Sequence, residues 1–180
     1  VKNQNTKKMA YAALFLALCL VLPMLTGQIP QIGSMLLPMH IPVLLCGLVC
    51  GWQYGAAVGF VAPLLRSVLF GMPPMYPVAI AMAFELLTYG LVIGLVYRRM
   101  AQKGAAGVYA ALLTAMVAGR LVWGVAEVVL LGLGGKAFTA QAFLAGALLN
   151  AVPGIIVQLV LIPAVMAALQ KAGAVKEYAE

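Results

Sequence analysis

Four ionisable residues fall inside long apolar stretches of the sequence: Arg66, Glu85, Arg120 and Glu127. Insertion scales put one charge at the centre of a membrane helix at about 2.5–3.5 kcal/mol. Four unpaired charges would therefore cost on the order of 10 kcal/mol, which compares with the stability of a whole domain. We expect these side chains to be paired with each other, hydrated or used to bind a ligand.

Helical spacing groups these charges with side chains that could line a pocket. Arg120 and Glu127 are almost two helical turns apart, and Trp123 lies between them on the same face. Glu85 and Tyr89 share a face of another helix. Aromatic walls beside a few convergent polar groups are typical of small-molecule sites. The candidate ligand-binding residues are Arg66, Glu85, Tyr89, Arg120, Trp123 and Glu127, together with Asn150, which lies among small residues in the last apolar stretch.

A purely structural role for the same charges is the alternative. Arg66 could pair with Glu85, and Arg120 with Glu127, as buried ion pairs. We expect a mixed role, in which part of the network contacts a ligand. His40 lies at the end of a predicted helix, where a lone histidine is more often an interfacial residue than a ligand-binding one.

The amino-acid composition indicates whether these helices fold in water or in a lipid bilayer. Of the 180 residues, 65% are hydrophobic and only 8% are charged, whereas soluble domains have about 45–50% apolar and about 25% charged residues. A lipid bilayer suits such a chain. The net charge of +7 does not indicate nucleic-acid binding, because the Lys and Arg residues are not clustered on one soluble face.

The apolar stretches predict an all-α integral membrane protein, a bundle of about six transmembrane helices that forms a single membrane domain over residues 1–180. The predicted helices cover about residues 9–25, 40–51, 56–70, 78–97, 107–133 and 143–169. Residues 52–55 are predicted as a tight turn, and the prolines of 71–77 break the chain before the fourth helix. Glycines at 47, 51, 55 and 59 predict close packing of helices within the bundle.

Basic residues predict the orientation of the chain, because cytoplasmic loops of membrane proteins are rich in Lys and Arg. With six spans, the basic residues of the N-terminus, of the loop at 98–103 and of the C-terminal tail all fall on one side. We therefore predict that both termini are cytoplasmic. Most of the buried polar side chains then lie at or beyond the midplane towards the outside, which indicates a pocket loaded from outside.

Sequence patterns of an ATPase, a hydrolase or a metal site are missing. The nearest approach to a phosphate-binding loop ends in Gly135 and Lys136, but Leu130 stands where its first glycine belongs and Ala137 where Ser or Thr belongs. The three cysteines lie in apolar stretches without a metal-ligand spacing. We expect no enzymatic activity, resident metal or cofactor in this chain.

Several local patterns together resemble a known family. Residues 7–17 carry Ala13 and Ala17 on one helical face, and residues 37–47, 51–59 and 63–66 follow with Gly, Pro and Arg in a characteristic order. Over essentially its whole length the chain resembles the substrate-binding (S) components of energy-coupling factor (ECF) transporters, which import vitamins into bacteria.

The resemblance implies a mechanism and a set of partners. Such a component binds one small molecule near the outer face of the bacterial cytoplasmic membrane. It works with a module of one transmembrane coupling subunit and two ATPase subunits, and Ala13 and Ala17 would dock on the coupling subunit. The missing ATP-binding motif is consistent with ATP hydrolysis by separate subunits.

Several substrates remain open at this point. Residues 71–74 and 84–90 are most similar to the pantothenate-type branch of the family, and Arg66 or Arg120 could hold a carboxylate through two parallel hydrogen bonds. Two glutamates in the same region would also suit a queuosine precursor or a cationic vitamin such as thiamine. A membrane scaffold subunit, in which all four charges pair internally, is the alternative outside transport.

Overall fold

Helices make up almost all of the described chain in the computed structural model, which describes residues 2–25, 35–100, 104–135, 137, 139–146 and 151–173. The helices are α1 (Lys2–Leu25), α2 (His40–Cys50), α3 (Trp52–Phe70), α4 (Ile80–Met100), α5 (Ala105–Leu133), α6 (Ala140–Leu144) and α7 (Val152–Lys171). Met75–Ala79 form a wide, irregular turn before α4. No strand occurs among these residues, and the prediction of an all-α bundle is confirmed.

Five segments are long and apolar enough to cross a membrane by length and composition: Gln4–Leu25, Trp52–Phe70, Met75–Met100, Ala105–Leu133 and Val152–Lys171. Helix α2 is apolar but has only 11 residues, which rise about 16 Å against a hydrocarbon core of about 30 Å. Every residue of α2 except Ile41 is buried, because α1, α3 and α4 pack around it. This short helix is therefore shielded by protein.

A single glycine connects α2 to α3. Gly51 has φ +97°, a conformation that costs a residue with a Cβ atom far more than glycine. The helices form a hairpin about this point, and a Cβ atom on Gly55 would lie 2.7 Å from Gly47 Cα. The predicted turn at residues 52–55 is wrong, because Gly51 alone reverses the chain and α3 already begins at Trp52.

Helix α4 lies against the α2–α3 hairpin at backbone-contact distance. A Cβ atom on Gly55 would lie 2.8 Å from the Gly90 carbonyl oxygen, and one on Gly59 would collide with the Leu86 carbonyl group. Without a hydrophobic force between helices in lipid, such close approach supplies the dispersion contacts that hold a bundle together. The other side of α4 packs against α5. The predicted close packing is confirmed at Gly47, Gly55 and Gly59, whereas a Cβ atom on Gly51 would meet nothing within 4 Å.

The predicted span 143–169 consists of two helices in the structure. The short α6 begins after Thr139, whose side-chain oxygen accepts a hydrogen bond from the Ala142 amide at 3.2 Å. The long α7 begins at Val152 and includes Pro153 in its first turn. Proline fits there because the first amide groups of a helix have no partner within the helix. The sequence interpretation placed Pro153 inside a continuous helix, which is wrong.

Replacing Gly59 by alanine tests whether the α3–α4 contact limits stability. The new Cβ atom would meet the Leu86 backbone, and such overpacking typically costs about 1–3 kcal/mol. We expect a lower melting temperature of the detergent-purified protein. Gly132→Ala is the matched control, because a Cβ atom there meets nothing within 4 Å and alanine favours helix by up to about 1 kcal/mol. Equal melting temperatures for both variants would contradict the close contact.

Candidate functional site

His40, Glu85 and Arg120 converge in the bundle and form what we term the polar cluster. Glu85 Oε1 lies 2.9 Å from Arg120 Nη1 and 3.3 Å from His40 Nε2. The side chains of His40 and Glu85 are 1% and 2% exposed, and that of Arg120 is 13% exposed. The buried Glu85 carboxylate is thus shared by two basic side chains, His40 of α2 and Arg120 of α5.

Residue spacing explains why a charged side chain of α4 points into the protein. Every fourth residue along this helix is buried: Ala81, Glu85, Tyr89, Ile93 and Tyr97. Residues spaced by four share one face of a helix, so Glu85 belongs to the same inward stripe as its apolar neighbours. Its burial follows from the register of α4 and requires compensating charges nearby.

Tyr89 contributes to the positions of His40 and Arg120 relative to α4. Its ring contacts the edge of the His40 ring, with centroids 5.1 Å apart and planes at 80°. A Cβ atom on Gly119 of α5 would lie 2.7 Å from Tyr89 Cε2, so the ring lies directly on the α5 backbone. This contact brings the next residue, Arg120, to Glu85.

Several buried nitrogen atoms, most of them in the cluster and one on α7, have no hydrogen-bond partner within the described parts of the chain. They are His40 Nδ1 and Nε2, Arg120 Nε and Nη2, and Gln158 Nε2 on α7. Glu85 Oε1 also has no hydrogen bond: it lies at ion-pair distance from His40 and Arg120, but neither contact has the alignment of a hydrogen bond. Since most buried polar groups in proteins are hydrogen-bonded, unsatisfied donors at one place are suited to a ligand or to ordered water.

Aromatic residues lie beside Arg120. Its Cζ atom lies 5.9 Å from the Trp123 ring centroid, within the range of a cation–π contact. Trp123 stacks on Phe143 of α6, with centroids 6.1 Å apart and planes at 26°. A Cβ atom on Gly124 would lie 2.5 Å from the Phe143 ring, so glycine at this position admits the aromatic stack.

Arg66 lies in a different environment from the polar cluster. Its Nη1 donates a hydrogen bond to the Leu20 carbonyl oxygen of α1 at 2.6 Å, and its Cζ lies 5.3 Å from the Phe70 ring centroid. A backbone carbonyl oxygen has two lone pairs, so it can accept this side-chain hydrogen bond in addition to one within the helix. Arg66 forms no ion pair with a described residue.

The structure brings together some of the predicted site residues and separates others. Glu85, Tyr89, Arg120 and Trp123 are neighbours, as the contacts above show. The alternative pairing of Arg66 with Glu85 and of Arg120 with Glu127 is wrong, because Arg120 forms its ion pair with Glu85. Glu127 is 6% exposed and is in no ion pair with any residue that the structure describes. Asn150 lies outside the described residues.

Two buried polar residues with unsatisfied nitrogen atoms were left out of the candidate site by the sequence interpretation. His40 was assigned to an interface, and Gln158 was noted only as a polar residue deep in its helix. The signal for His40 was present, because the only histidine of the chain begins an apolar helix. The signal for Gln158 was an amide in an apolar stretch, where polar side chains are costly and mark functional positions.

Comparison with known proteins gives one match. A family model described as "ECF transporter, substrate-specific component" matches residues 7–167, which is most of the chain. No curated protein and no solved structure matches it.

A double-mutant cycle tests whether Glu85 and Arg120 depend on each other. Glu85→Gln leaves the guanidinium group buried without its counter-charge, which we expect to cost about 3 kcal/mol of stability. Adding Arg120→Gln should recover a large part of that loss. The measurement is unfolding of the ligand-free protein in detergent.

Glu127→Gln is the control for this cycle, because it changes a buried glutamate that has no ion pair among the described residues. We expect it to change stability by less than Glu85→Gln does. Additive effects of the two cluster substitutions, within about 0.5 kcal/mol, would show that the two side chains are not coupled.

Proposed function

Because the chain belongs to the family of substrate-specific components of ECF transporters, we propose that it captures a small vitamin-like molecule, pantothenate as the first candidate, for import. As a member of this family, the protein is a multi-pass membrane subunit for substrate binding, and its role is transport rather than catalysis. The observation that carries the proposed site is the polar cluster with its unsatisfied donors, buried in an otherwise apolar bundle.

The proposed ligand contacts come from Arg120, Tyr89, Trp123 and His40, with Glu85 holding Arg120. These side chains combine charge, hydrogen-bond donors and aromatic surface, which is the composition of small-molecule pockets. The separate environment of Arg66 supports a structural role for that arginine. Glu127 remains a candidate because it follows Trp123 by four residues on α5. Asn150 remains a candidate from the sequence.

Transport needs an energy source that the sequence does not contain. We propose that a coupling subunit and two ATPase subunits supply it, and that α1 docks on the coupling subunit. Ala13 and Ala17 are exposed and lie four residues apart on one face of α1, which supports this role. We further propose that the chain is one membrane domain over residues 1–180, in a bacterial cytoplasmic membrane, with both termini on the cytoplasmic side.

A ligand panel tests the proposed function directly. Ligand at about 100 times its dissociation constant stabilises a protein by about 2.7 kcal/mol. We expect one of pantothenate, thiamine, riboflavin, folate, queuine and pyridoxine to raise the melting temperature of the ligand-free protein, with pantothenate first. The control is Arg120→Ala, which should insert in the membrane and lose most of the shift. An equal shift in this variant would remove Arg120 from the site.

A bulky substitution on α1 tests the docking proposal. Ala17→Trp should abolish co-purification of the coupling and ATPase subunits, because a large side chain prevents close approach of a partner helix. Ligand-induced stabilisation should persist. Val117→Trp is the matched control on α5, where the native side chain is 63% exposed. If Ala17→Trp still co-purifies with the module, α1 does not dock through this face.

A further inference from the structure

We infer that the site selects ligands that carry a carboxylate, and that the carboxylate binds the Nε/Nη2 edge of Arg120. This inference rests on the proposed function and narrows it to one chemical class of substrate. The observation behind it is which nitrogen atoms of Arg66 and Arg120 already have a partner in the protein and which do not.

Arg120 has one engaged nitrogen and one open edge. Nη1 lies 2.9 Å from Glu85 Oε1, whereas Nε and Nη2 have no hydrogen-bond partner among the residues that the structure describes. The Nε–H bond and one Nη2–H bond of a guanidinium group point in the same direction. Their spacing matches the two oxygen atoms of a carboxylate, which is why arginine binds such groups through two parallel hydrogen bonds.

Glu85 and Trp123 hold this edge in place. Glu85 restrains one end of the guanidinium group, and the Trp123 ring lies 5.9 Å from its central carbon atom. A planar group restrained at one end and beside an aromatic ring loses little further freedom when it binds, so less affinity is lost to ordering. Glu85 is therefore a positioning residue that acts through Arg120.

Charge in the cluster disfavours a cationic ligand. The single negative charge of Glu85 is already shared by Arg120 and His40, so the cluster carries no net negative charge in either protonation state of His40. A cation at this edge would meet the Arg120 charge, and the carboxylate of the cluster is already engaged. Glu127 is buried without an ion pair among the described residues and is the other carboxylate that a cation could meet, which is why thiamine is among the probes. A carboxylate ligand instead gains a counter-charge and satisfies two buried donors.

Gln158 is a further buried donor without a partner among the described residues, on a helix beside those of the cluster. Its side chain is 1% exposed, and Nε2 has no partner among the described residues. Helix α7, which carries it, packs against α2 and α5, the helices of His40 and Arg120. The unsatisfied amide and guanidinium groups are all donors, which suits a ligand whose polar groups are mainly acceptors.

Arg66 does not compete for this role. Its Nη1 donates to the Leu20 carbonyl oxygen, and the face of its guanidinium group lies near the Phe70 ring. Arg66 is 3% exposed and Arg120 is largely buried, which makes Arg66 the natural control for any effect that changing a guanidinium group inside the bundle has on folding.

Matched pairs of ligands test the inference. The probes are pantothenate against pantothenol, and nicotinate against nicotinamide, in which a neutral group replaces the carboxylate, with thiamine as the cation. Binding to the detergent-purified, ligand-free protein is measured by calorimetry. We expect a carboxylate probe to bind, and its neutral partner to bind about 100-fold more weakly or worse, because two buried donors then stay unpaired.

Variants separate recognition from folding. Arg120→Lys keeps the charge and removes the paired donors, so the affinity ratio of carboxylate to neutral probe should fall at least tenfold. Glu85→Gln should lower the same ratio by releasing the guanidinium group. Arg66→Lys should leave the ratio unchanged even where it lowers the melting temperature. An unchanged ratio in Arg120→Lys would overturn the inference.

Other outcomes distinguish this inference from the proposed function. Equal or tighter binding of a neutral probe or of thiamine would overturn carboxylate selection while supporting a substrate-binding subunit. Failure of every carboxylate probe would likewise overturn it, and co-purification with the coupling and ATPase subunits would then still support the transport role. A chain that binds no probe and recruits no ATPase subunit would contradict both.

Discussion

Backbone contact between helices at glycine is the constraint on which the rest of this structure depends. Lipid gives apolar helices no hydrophobic reason to associate, so association relies on dispersion contacts and a few polar interactions. Gly55 and Gly59 of α3 lie against the backbone of α4 around Gly90 and Leu86. This approach fixes the rotation of α4 about its own axis, and with it the direction in which Glu85 points.

Once Glu85 points inward, the remaining features of the cluster are consequences of burial. An unpaired carboxylate in an apolar interior costs several kcal/mol, and removing the partner of a buried charge is correspondingly destabilising. Arg120 and His40 supply the compensation from two neighbouring helices. The compensation leaves donors unsatisfied within the described chain, which is unfavourable for a scaffold and supports the proposal that the cluster binds a ligand.

The two buried arginines show how the same residue type takes different roles. Both were candidates for ligand binding because a guanidinium group in an apolar helix is costly. Arg66 lies opposite a backbone carbonyl group of α1, and that carbonyl accepts its hydrogen bond. Arg120 lies opposite a carboxylate on α4. Helical periodicity describes one helix at a time, so it could not tell which groups of other helices each arginine would meet.

Sequence alone was sufficient to predict the solvent, the helical class and the positions where polar groups must be compensated. These follow from hydrophobic run length and helical spacing, which are local properties of the chain. Tertiary structure decided the reversal at Gly51, the start of α7 at Val152, and the choice of Arg120 rather than Arg66 as the partner of Glu85. Those outcomes depend on which backbones can approach closely, a condition set jointly by helices that are distant in sequence.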